Sequence, residues 1–550
     1  MSDFTTGDYT EEERARLEAW KRARDYSDPE RRAAARAILL DVAGGSELRP
    51  ALHRHPARGT YLSKDFLIAE YRAMTAAGEL KADPALWERL RMKPVRTLSG
   101  VATVSVLTRP YPCPGECLFC PDDSRMPKSY IADEPGALRA AQNAFDPYRQ
   151  AASRLGSLES VGHPTGKVEL LILGGTWCAY PEDYREQFVL RLLDALNGEE
   201  SATLAEAQVK NESAARRCVG LVVETRPDTI SSAELRGMRR LGVTKIQVGV
   251  QSLDDRILAL NCRGQTVADA RRAFRLMRAA GFKIQAHWMP NLLGATLQSD
   301  REDFARMFAD PDLRPDELKI YPTILVKNSL LYAYYERGEY HPYTYEDLLE
   351  LIAAIKPQIP PYCRVNRLAR DIPVQHVAAG NKRSNLREDA QRLLAARGNR
   401  CRCIRCREVR GRHVDRDGLR LDGFTYEAGG GEERFLSFVT PDDKLAAYLR
   451  LSMPGGSTPE LAMPDLERAA IVRDLHVYGQ TLSIGESQDG AAQHLGLGSE
   501  LLARAEGIAR AAGFGTLAVI SAVGTRDYYR GRGFTDGELY QVKKLSFLTP

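Results

Sequence analysis

Long apolar runs are what this 550-residue sequence most obviously lacks: none approaches the roughly 18 residues that cross a bilayer. That excludes a helical membrane span. The opening stretch, MSDFTTGDYTEEERARLEAW, is polar and acidic, without the apolar core and small-residue cleavage site of an export signal. A cytoplasmic chain is therefore expected, in which ten cysteines serve as ligands or core residues rather than disulfides. Internal repeats and low-complexity tracts are absent too. Net charge is small, +4, but unevenly spread. Between Arg364 and Arg420 sixteen Lys/Arg face six Asp/Glu, a balance of +10 that leaves the remainder at −6. Such a block reads as a polyanion-binding surface or as a solvated helix face. What remains is ordinary globular composition, 43% hydrophobic and 27% charged, enough for two or three domains.

Residues 1–95 carry apolar residues at helical spacing, in EEERARLEAWKRAR, PERRAAARAILLDVA and SKDFLIAEYRAMTAAGEL, with Ser63 as an expected N-cap. From Val101 the texture changes to six short β-rich runs: VATVSVL, VELLIL, VGLVVE, KIQVGV, KIQAHW and ELKIY. Helix-length amphipathic stretches separate most of them, which implies parallel βα units and an α/β partial (β/α)6 barrel over 96–360. Chemistry in such barrels gathers at the C-terminal strand ends. The unusual residues lie there: a cysteine loop after strand one, Gly174, Gly175 and Thr176 after two, Glu224, Thr225 and Arg226 after three, and Gln251 and Ser252 after four. His287 ends strand five and Lys319 lies in six. A basic linker, 361–422, leads to a compact α+β unit over 423–550.

Six of the ten cysteines form two triplets, 113/117/120 and 401/403/406. Cys113, Cys117 and Cys120 stand at Cys-x3-Cys-x2-Cys spacing. Three thiolates suffice for three corners of a 4Fe–4S cube, leaving one iron open to chelate the amino and carboxylate groups of S-adenosylmethionine. A zinc site borrowing a distant histidine, or chance, competes with that reading until the βα context and the glycine pair are added. Downstream, Gln493 to Gly498 (QHLGLG) opens a helix in the manner of a pyrophosphate-binding loop, where glycines and the helix N-terminus favour an anion such as coenzyme A. The strand carrying Asp474, Leu475, His476 and Val477 precedes it. QHLGLG resembles the coenzyme loop of GNAT acetyltransferases. In that fold a tyrosine at the place of Tyr529 often stands near the thioester sulfur, where it can protonate a departing thiolate because its proton is retained well above neutrality. Tyr528 reads as its structural neighbour.

Taken together, KPVRTLSGVATVSV, the cysteine loop, LILGGTWCAYPEDYR, ETRPD, QVGVQS, HWMPNLLG, LKIYPT, RLARDIP, RDLHVYGQ and AVISAVGTRDYYR resemble, from about Arg91 onward, the family of the Elongator catalytic subunit. That family fuses a radical S-adenosylmethionine barrel to a GNAT acetyltransferase domain. The resemblance implies carboxymethylation of the tRNA wobble uridine. The acetyl methyl of acetyl-CoA would meet a 5′-deoxyadenosyl radical, and the acetyl radical would add to carbon 5 of the base before hydrolysis. It implies cluster ligation by Cys113, Cys117 and Cys120. Acetyl-CoA contacts are implied at Lys167, at Asp474, Leu475, His476 and Val477, at Leu497, Gly498 and Ser499, and at Tyr529. Gly174, Gly175, Gln251 and Lys319 are expected in the radical pocket, Lys319 reading equally as a core lysine paired with Glu224.

Cys401, Cys403 and Cys406 suit structural zinc with a fourth ligand from His413 or His376, or are three unliganded thiols. The phosphates of tRNA are expected at Arg364, Arg367, Arg370, Lys382 and Arg383, with possible further contact from residues 1–95. An electron donor for the cluster is a further expected partner; accessory subunits are not readable. Two departures stand out: Asp122 and Asp123 follow the loop where relatives have glycines, and Trp288 replaces a common methionine and is expected to crowd the pocket. The rival readings are a protein lysine acetyltransferase with a structural iron–sulfur domain, and a non-catalytic tRNA-binding assembly protein.

Overall fold

The computed structural model describes residues 25–383, 385–410, 412, 414–478 and 496–546. The chain divides into two compact units, Met1–Thr97 with Arg154–Thr165, and Leu98–Ser153 with Gly166–Pro550.

Helices fill the first unit: α1 (Pro29–Ala43), α2 (Leu48–Arg54), α3 (Lys64–Ala76) and α4 (Pro84–Leu90). Ile38, Leu39, Phe66, Leu67 and Leu90 form its core. Asp28 caps α1 by accepting from the Arg31 amide at 3.1 Å. Ser63 stands at the N-cap of α3, but its side chain makes no cap hydrogen bond. The expected helix over EEERARLEAWKRAR lies outside the described residues.

The second unit begins with seven parallel strands in chain order. They are β1 (Ala102–Leu107), β2 (Lys167–Leu173), β3 (Arg217–Thr225), β4 (Lys245–Gln251), β5 (Lys283–Trp288), β6 (Glu317–Ile320) and β7 (Arg364–Arg367). This is the expected partial barrel with one strand more. RVNR has no apolar run to announce it, and its register beside β6 (Leu318 opposite Val365) makes it a strand.

Side chains alternate across each strand, and here the alternation separates fat from charge. Ile246, Val248 and Val250, then Ile284, Ala286 and Trp288, then Leu318 and Ile320, are buried apolar positions. Helices α5 (Glu182–Asn197) and α6 (Ser232–Arg240) precede α7 (Val267–Ala279), which contributes Phe274 and Met277 to the core and closes its N-terminus with a capping box between Thr266 and Asp269. The intervening positions are Lys245, Gln247 and Gln251, Lys283, Gln285 and His287, and Glu317 and Lys319. These polar side chains meet one another across the strands. Barrel interiors are usually filled by branched apolar residues; this one is lined with ionisable and amide groups.

A mixed sheet follows, in the order β8 (Arg420–Ala428), β9 (Gly431–Val439), β10 (Leu445–Met453), β11 (Ala469–Val477), β12 (Thr516–Val519), β14 (Gln541–Lys544) and β13 (Thr535–Asp536). Only β11 and β12 are parallel within it. The strand β8 was not read from the sequence, and it adds an edge to the expected hairpin. Helix α11 (Leu497–Ala511) packs on β10 and β11.

Buried charges join barrel and sheet. Arg473 of β11 reaches Asp316, just before β6, at 2.7 Å and Glu433 of β9 at 2.8 Å. Arg450 lies 3.3 Å from Asp316. Burial alone would raise the Asp316 carboxyl, but Arg473, Arg450 and Arg278 hold it well below the usual carboxylate range. Removing one member of such a cluster leaves its partners charged and dry, which costs about 3–5 kcal/mol.

Candidate active site at the two ends of the barrel

The cysteine loop follows β1 at the C-terminal strand ends. Cys117 is 4% exposed and accepts from Arg263 at 3.4 Å. The Cys120 thiol, donating to it, together with Arg263 pulls Cys117 down to about 5 against the opposing effect of burial. Cys113 lies 3.5 Å from the hydroxyl of Thr176. Arg226 presses on the same loop, for a Cβ on Gly115 would sit 2.1 Å from its Nη1. Arg226 was among the residues marked at the end of strand three, whereas Arg263 was not singled out from the sequence, because it acts through a fold-dependent contact.

Gly174 (φ 139°) and Gly175 (φ 94°) end β2 in the left-handed region. A Cβ on Gly174 would lie 1.9 Å from the Thr108 hydroxyl oxygen, and one on Gly175 would lie 3.3 Å from the Lys128 carbonyl. Only glycines fit there. Gln251, also at positive φ (69°), ends β4. Several buried polar atoms around this mouth have no hydrogen-bond partner among the described residues: Arg226 Nη1, Arg263 Nε, Gln251 Oε1 and Gln265 Oε1. Such groups are costly when unpaired. The donors, thiolate ligands and bare backbone fit a 4Fe–4S cluster with S-adenosylmethionine.

Trp288 does not crowd that mouth. Its ring is fully buried on the outer side against Phe304 of α8 (Leu297–Ala309), with centroids 5.1 Å apart, and its indole donates to Asp303 at 2.6 Å. Strand alternation sends His287, not Trp288, into the bore. Asp122 sits at the rim, its side chain 3.1 Å from Lys128 and its amide bonded to the Asn328 carbonyl.

Below the mouth, His287 Nε2 lies 3.1 Å from Gln247 Oε1, to which Lys319 also donates. His287 Nδ1 is 3.9 Å from Glu224, and Tyr130 donates to Glu224 at 3.1 Å. Lys319 is thus a buried bore residue whose hydrogen-bond partner is Gln247, with Glu224 acting only through its charge. Burial lowers its ammonium to about 7, partly offset by Glu224. The column continues downward: Gln285 donates to Glu317 at 2.6 Å, Lys245 bridges Glu317 (3.2 Å) and Glu169 (2.7 Å), and Lys283 pairs with Asp474 of β11 at 2.8 Å. The signal for this column was present in KIQVGVQ, KIQAHW and ELKIY, whose polar residues recur at every second position.

Asp474 belongs to the candidate thioester site, at the N-terminal strand ends. There Lys167 opens β2 opposite Arg217, and burial followed by Arg217 lowers its ammonium. The ladder between β11 and β12 stops at Val472 opposite Val519, so Asp474, Leu475 and His476 run on, paired to β10, after β12 has diverged. Val477 continues that strand. Burial, with help from Lys283, Arg364 and Lys167, lowers His476 to about 3, which keeps it neutral at physiological pH. Leu497, Gly498 and Ser499 form the first turn of α11, whose N-cap Gly496 has φ 69°. Their amides open the helix, as a pyrophosphate requires. A Cβ on Gly498 would lie 2.8 Å from the Tyr528 hydroxyl, and Arg532 reaches the Ser499 hydroxyl at 2.9 Å. Gln493 lies outside the described residues. Tyr529, on α12 (Arg526–Arg530), is 8% exposed, and burial holds its phenol well above the ordinary range. Tyr528 stands edge-on to it at 5.1 Å under the Arg532 guanidinium. A separate cleft of about 380 Å³, lined by Asp254, Arg271, Arg306 and Asp310, lies among the outer helices, away from both sites.

The second triplet is tight: the sulfurs of Cys401, Cys403 and Cys406 lie within 4.8 Å of one another. Gln391 of α10 (Leu386–Ala396) donates to Cys406 at 3.6 Å. Lys356, fully buried just beyond α9 (Tyr345–Ile355), adds a positive charge felt by Cys401 and Cys406. This donor set fits a thiophilic ion. His376 is not part of it, being bonded to Asp133 at 2.6 Å. His413 lies outside the described residues.

The basic block is less open than its charge suggests. Arg364 is tied to Glu408 and to the Tyr478 hydroxyl (3.0 Å), and it buries its charge at the start of β7 instead of offering it to phosphate. Arg387, Arg397 and Arg407 are likewise engaged, with Val365 and Asn366 carbonyls, Glu350 and Asp443. Arg367, Lys382 and Arg383 are exposed. Arg370 is half-buried at the mouth, 2.8 Å from Glu134.

The family model for the radical SAM superfamily matches residues 111–308, and that for a radical SAM C-terminal domain matches 315–394. A tRNA uridine(34) acetyltransferase of Dehalococcoides mccartyi is 44% identical over 459 residues, covering 82% of this chain and 99% of the relative. Human Elongator complex protein 3 is 38% identical over 477 residues, 84% of this chain and 87% of the relative. The solved structure of archaeal Methanocaldococcus infernus Elp3 lacking its N-terminus superposes with a TM-score of 0.72 at 38% identity, over 82% of this chain and all of that one. With identities near 40% along most of its length and the same two-part architecture, the chain belongs to the Elongator protein 3 family of tRNA uridine(34) acetyltransferases.

Proposed function

We propose that this chain converts the wobble uridine of tRNA to 5-carboxymethyluridine with acetyl-CoA and S-adenosylmethionine. The observation that supports the reading is the run of polar side chains facing the barrel interior, with His287, Gln247 and Lys319 bonded to one another toward the cysteine mouth, Gln285, Lys245 and Glu317 bonded below them, and Lys283 paired with Asp474. Cys113, Cys117 and Cys120 hold the 4Fe–4S cluster, with Gly174, Gly175 and Gln251 around S-adenosylmethionine. When bound, these groups supply one-electron cleavage and a carbon radical able to take hydrogen from a methyl group.

The chain's own residues do the rest. Asp474 to Val477 align the pantetheine arm, and the first turn of α11 holds the pyrophosphate. Lys167 and Lys283 bring positive charge to the thioester carbonyl. Tyr529 returns a proton to the departing thiolate. Within the bore, Lys319, His287 and Gln247 orient the acetyl carbon, and the enclosing strands exclude bulk water. Arg367, Arg370, Lys382 and Arg383 engage tRNA phosphates. Zinc on Cys401, Cys403 and Cys406 clips the segment between barrel and sheet; metal analysis of Cys403→Ser against the parent chain reads this. An external reductant supplies the electron.

The test is anaerobic incubation with S-adenosylmethionine, labelled acetyl-CoA, reductant and tRNA, followed by nucleoside mass spectrometry. Label in 5-carboxymethyluridine is expected. Acetylated protein formed without RNA or S-adenosylmethionine would replace the reading with a lysine acetyltransferase.

A further inference from the structure

Beside the cysteine loop, the segments that follow β1 and β2 build a stack unused by the reaction described above. Tyr111, two residues before Cys113, lies 4.8 Å from Tyr180 at 31°. Tyr180 stacks on Tyr184 at 5.2 Å and 21°, and the Arg109 guanidinium covers Tyr184 at 4.7 Å. The stack is braced from within. Tyr180, 4% exposed, shares a 2.7 Å hydrogen bond with Thr108 and donates to the Arg109 carbonyl at 2.8 Å. The Arg109 amide donates to the Tyr184 hydroxyl at 3.1 Å. Tyr184 stands in the first turn of α5 (Glu182–Asn197).

Both ends of this stack reach the surface: Tyr111 is half-buried and Arg109 exposed. Arg109 has no carboxylate partner among the described residues. A planar cation held flat on a phenol ring presents a face suited to a nucleobase. Phosphate is the poorer ligand here, since exposed Glu182 and Asp183 adjoin Tyr184. A uridine entering the bore must leave its loop stack, so its neighbours lose a stacking partner.

Resting on the tRNA reading above, we infer that Arg109, Tyr184, Tyr180 and Tyr111 form a stacking platform for a single-stranded RNA base that flanks the extruded uridine. The platform compensates the lost stacking and fixes which nucleotide faces the bore.

The test uses the full chain and a seven-nucleotide-loop RNA hairpin carrying 2-aminopurine next to the uridine. The parent chain should bind the hairpin and quench 2-aminopurine fluorescence. Arg109→Ala should abolish the quench and weaken binding about tenfold, within the range of one base stack, while acetyl-CoA affinity is unchanged. Arg109→Lys, which keeps the charge but not the plane, should recover little of the quench. Equal quench and affinity in Arg109→Ala would overturn the inference, as would full recovery in Arg109→Lys. No hairpin binding by the parent chain would overturn the tRNA reading and this inference with it.

Discussion

Burial inside the bore lowers the Lys319 ammonium to about 7 from an ordinary value near 10.5. Above neutrality the folded chain has released a proton that the unfolded chain still holds, so the unfolded state binds more protons between pH 7 and 10. Stability contributed at this residue therefore rises with pH across that window. Lys319→Met should flatten the rise, read as a smaller difference in melting temperature between pH 7 and pH 9 than in the parent chain. At the other end of the bore Tyr529 keeps its proton throughout this range. Tyr529→Phe should slow tRNA-stimulated acetyl-CoA hydrolysis by roughly 10²–10⁴-fold with coenzyme affinity retained by calorimetric titration. At this scale the sequence was informative where chemistry is local. Three cysteines in eight residues need no fold to be recognised, and Tyr529 is marked by its neighbours. Arg263 and Lys356 were not legible, since each acquires meaning from a partner far away in sequence. Arg364 misled for the same reason: its charge was visible, but Glu408 and Tyr478 were not assignable as partners.

At the scale of elements, the ends of strands matter more than their middles. The turn after β2 reads as glycine because two residues must take positive φ while backbone approaches Thr108 and Lys128. Gly174→Ala should abolish S-adenosylmethionine binding by equilibrium dialysis while leaving coenzyme A binding at the far end intact; loss of both would point to a folding defect instead. Six strands were legible from β-branched runs. The seventh, Arg364–Arg367, was not, because its place is set by pairing with β6 and not by its own composition. Trp288 shows the same limit. Strand parity decides which of His287 and Trp288 enters the bore, and parity was not assigned until Gln247 and Asp303 supplied the partners.

For the whole molecule, the candidate cluster site and the candidate thioester site lie at opposite ends of the barrel strands, and the buried Asp316, Arg473 and Glu433 cluster ties barrel to mixed sheet. On the proposed reading, the exposed cations Arg367, Lys382 and Arg383 meet tRNA phosphates, which would give the affinity a steep salt dependence. Reversing all three to Glu should weaken binding and lower the slope of log Kd against log salt by about three, with acetyl-CoA hydrolysis in the absence of tRNA unchanged. The claim on which everything else depends is that the acetyl methyl reaches the radical mouth through the bore. Trideuterioacetyl-CoA, given anaerobically with S-adenosylmethionine, reductant and tRNA, tests it directly. The account predicts deuterium in the 5′-deoxyadenosine product by mass spectrometry. Labelled carboxymethyluridine accompanied by 5′-deoxyadenosine free of deuterium would contradict it.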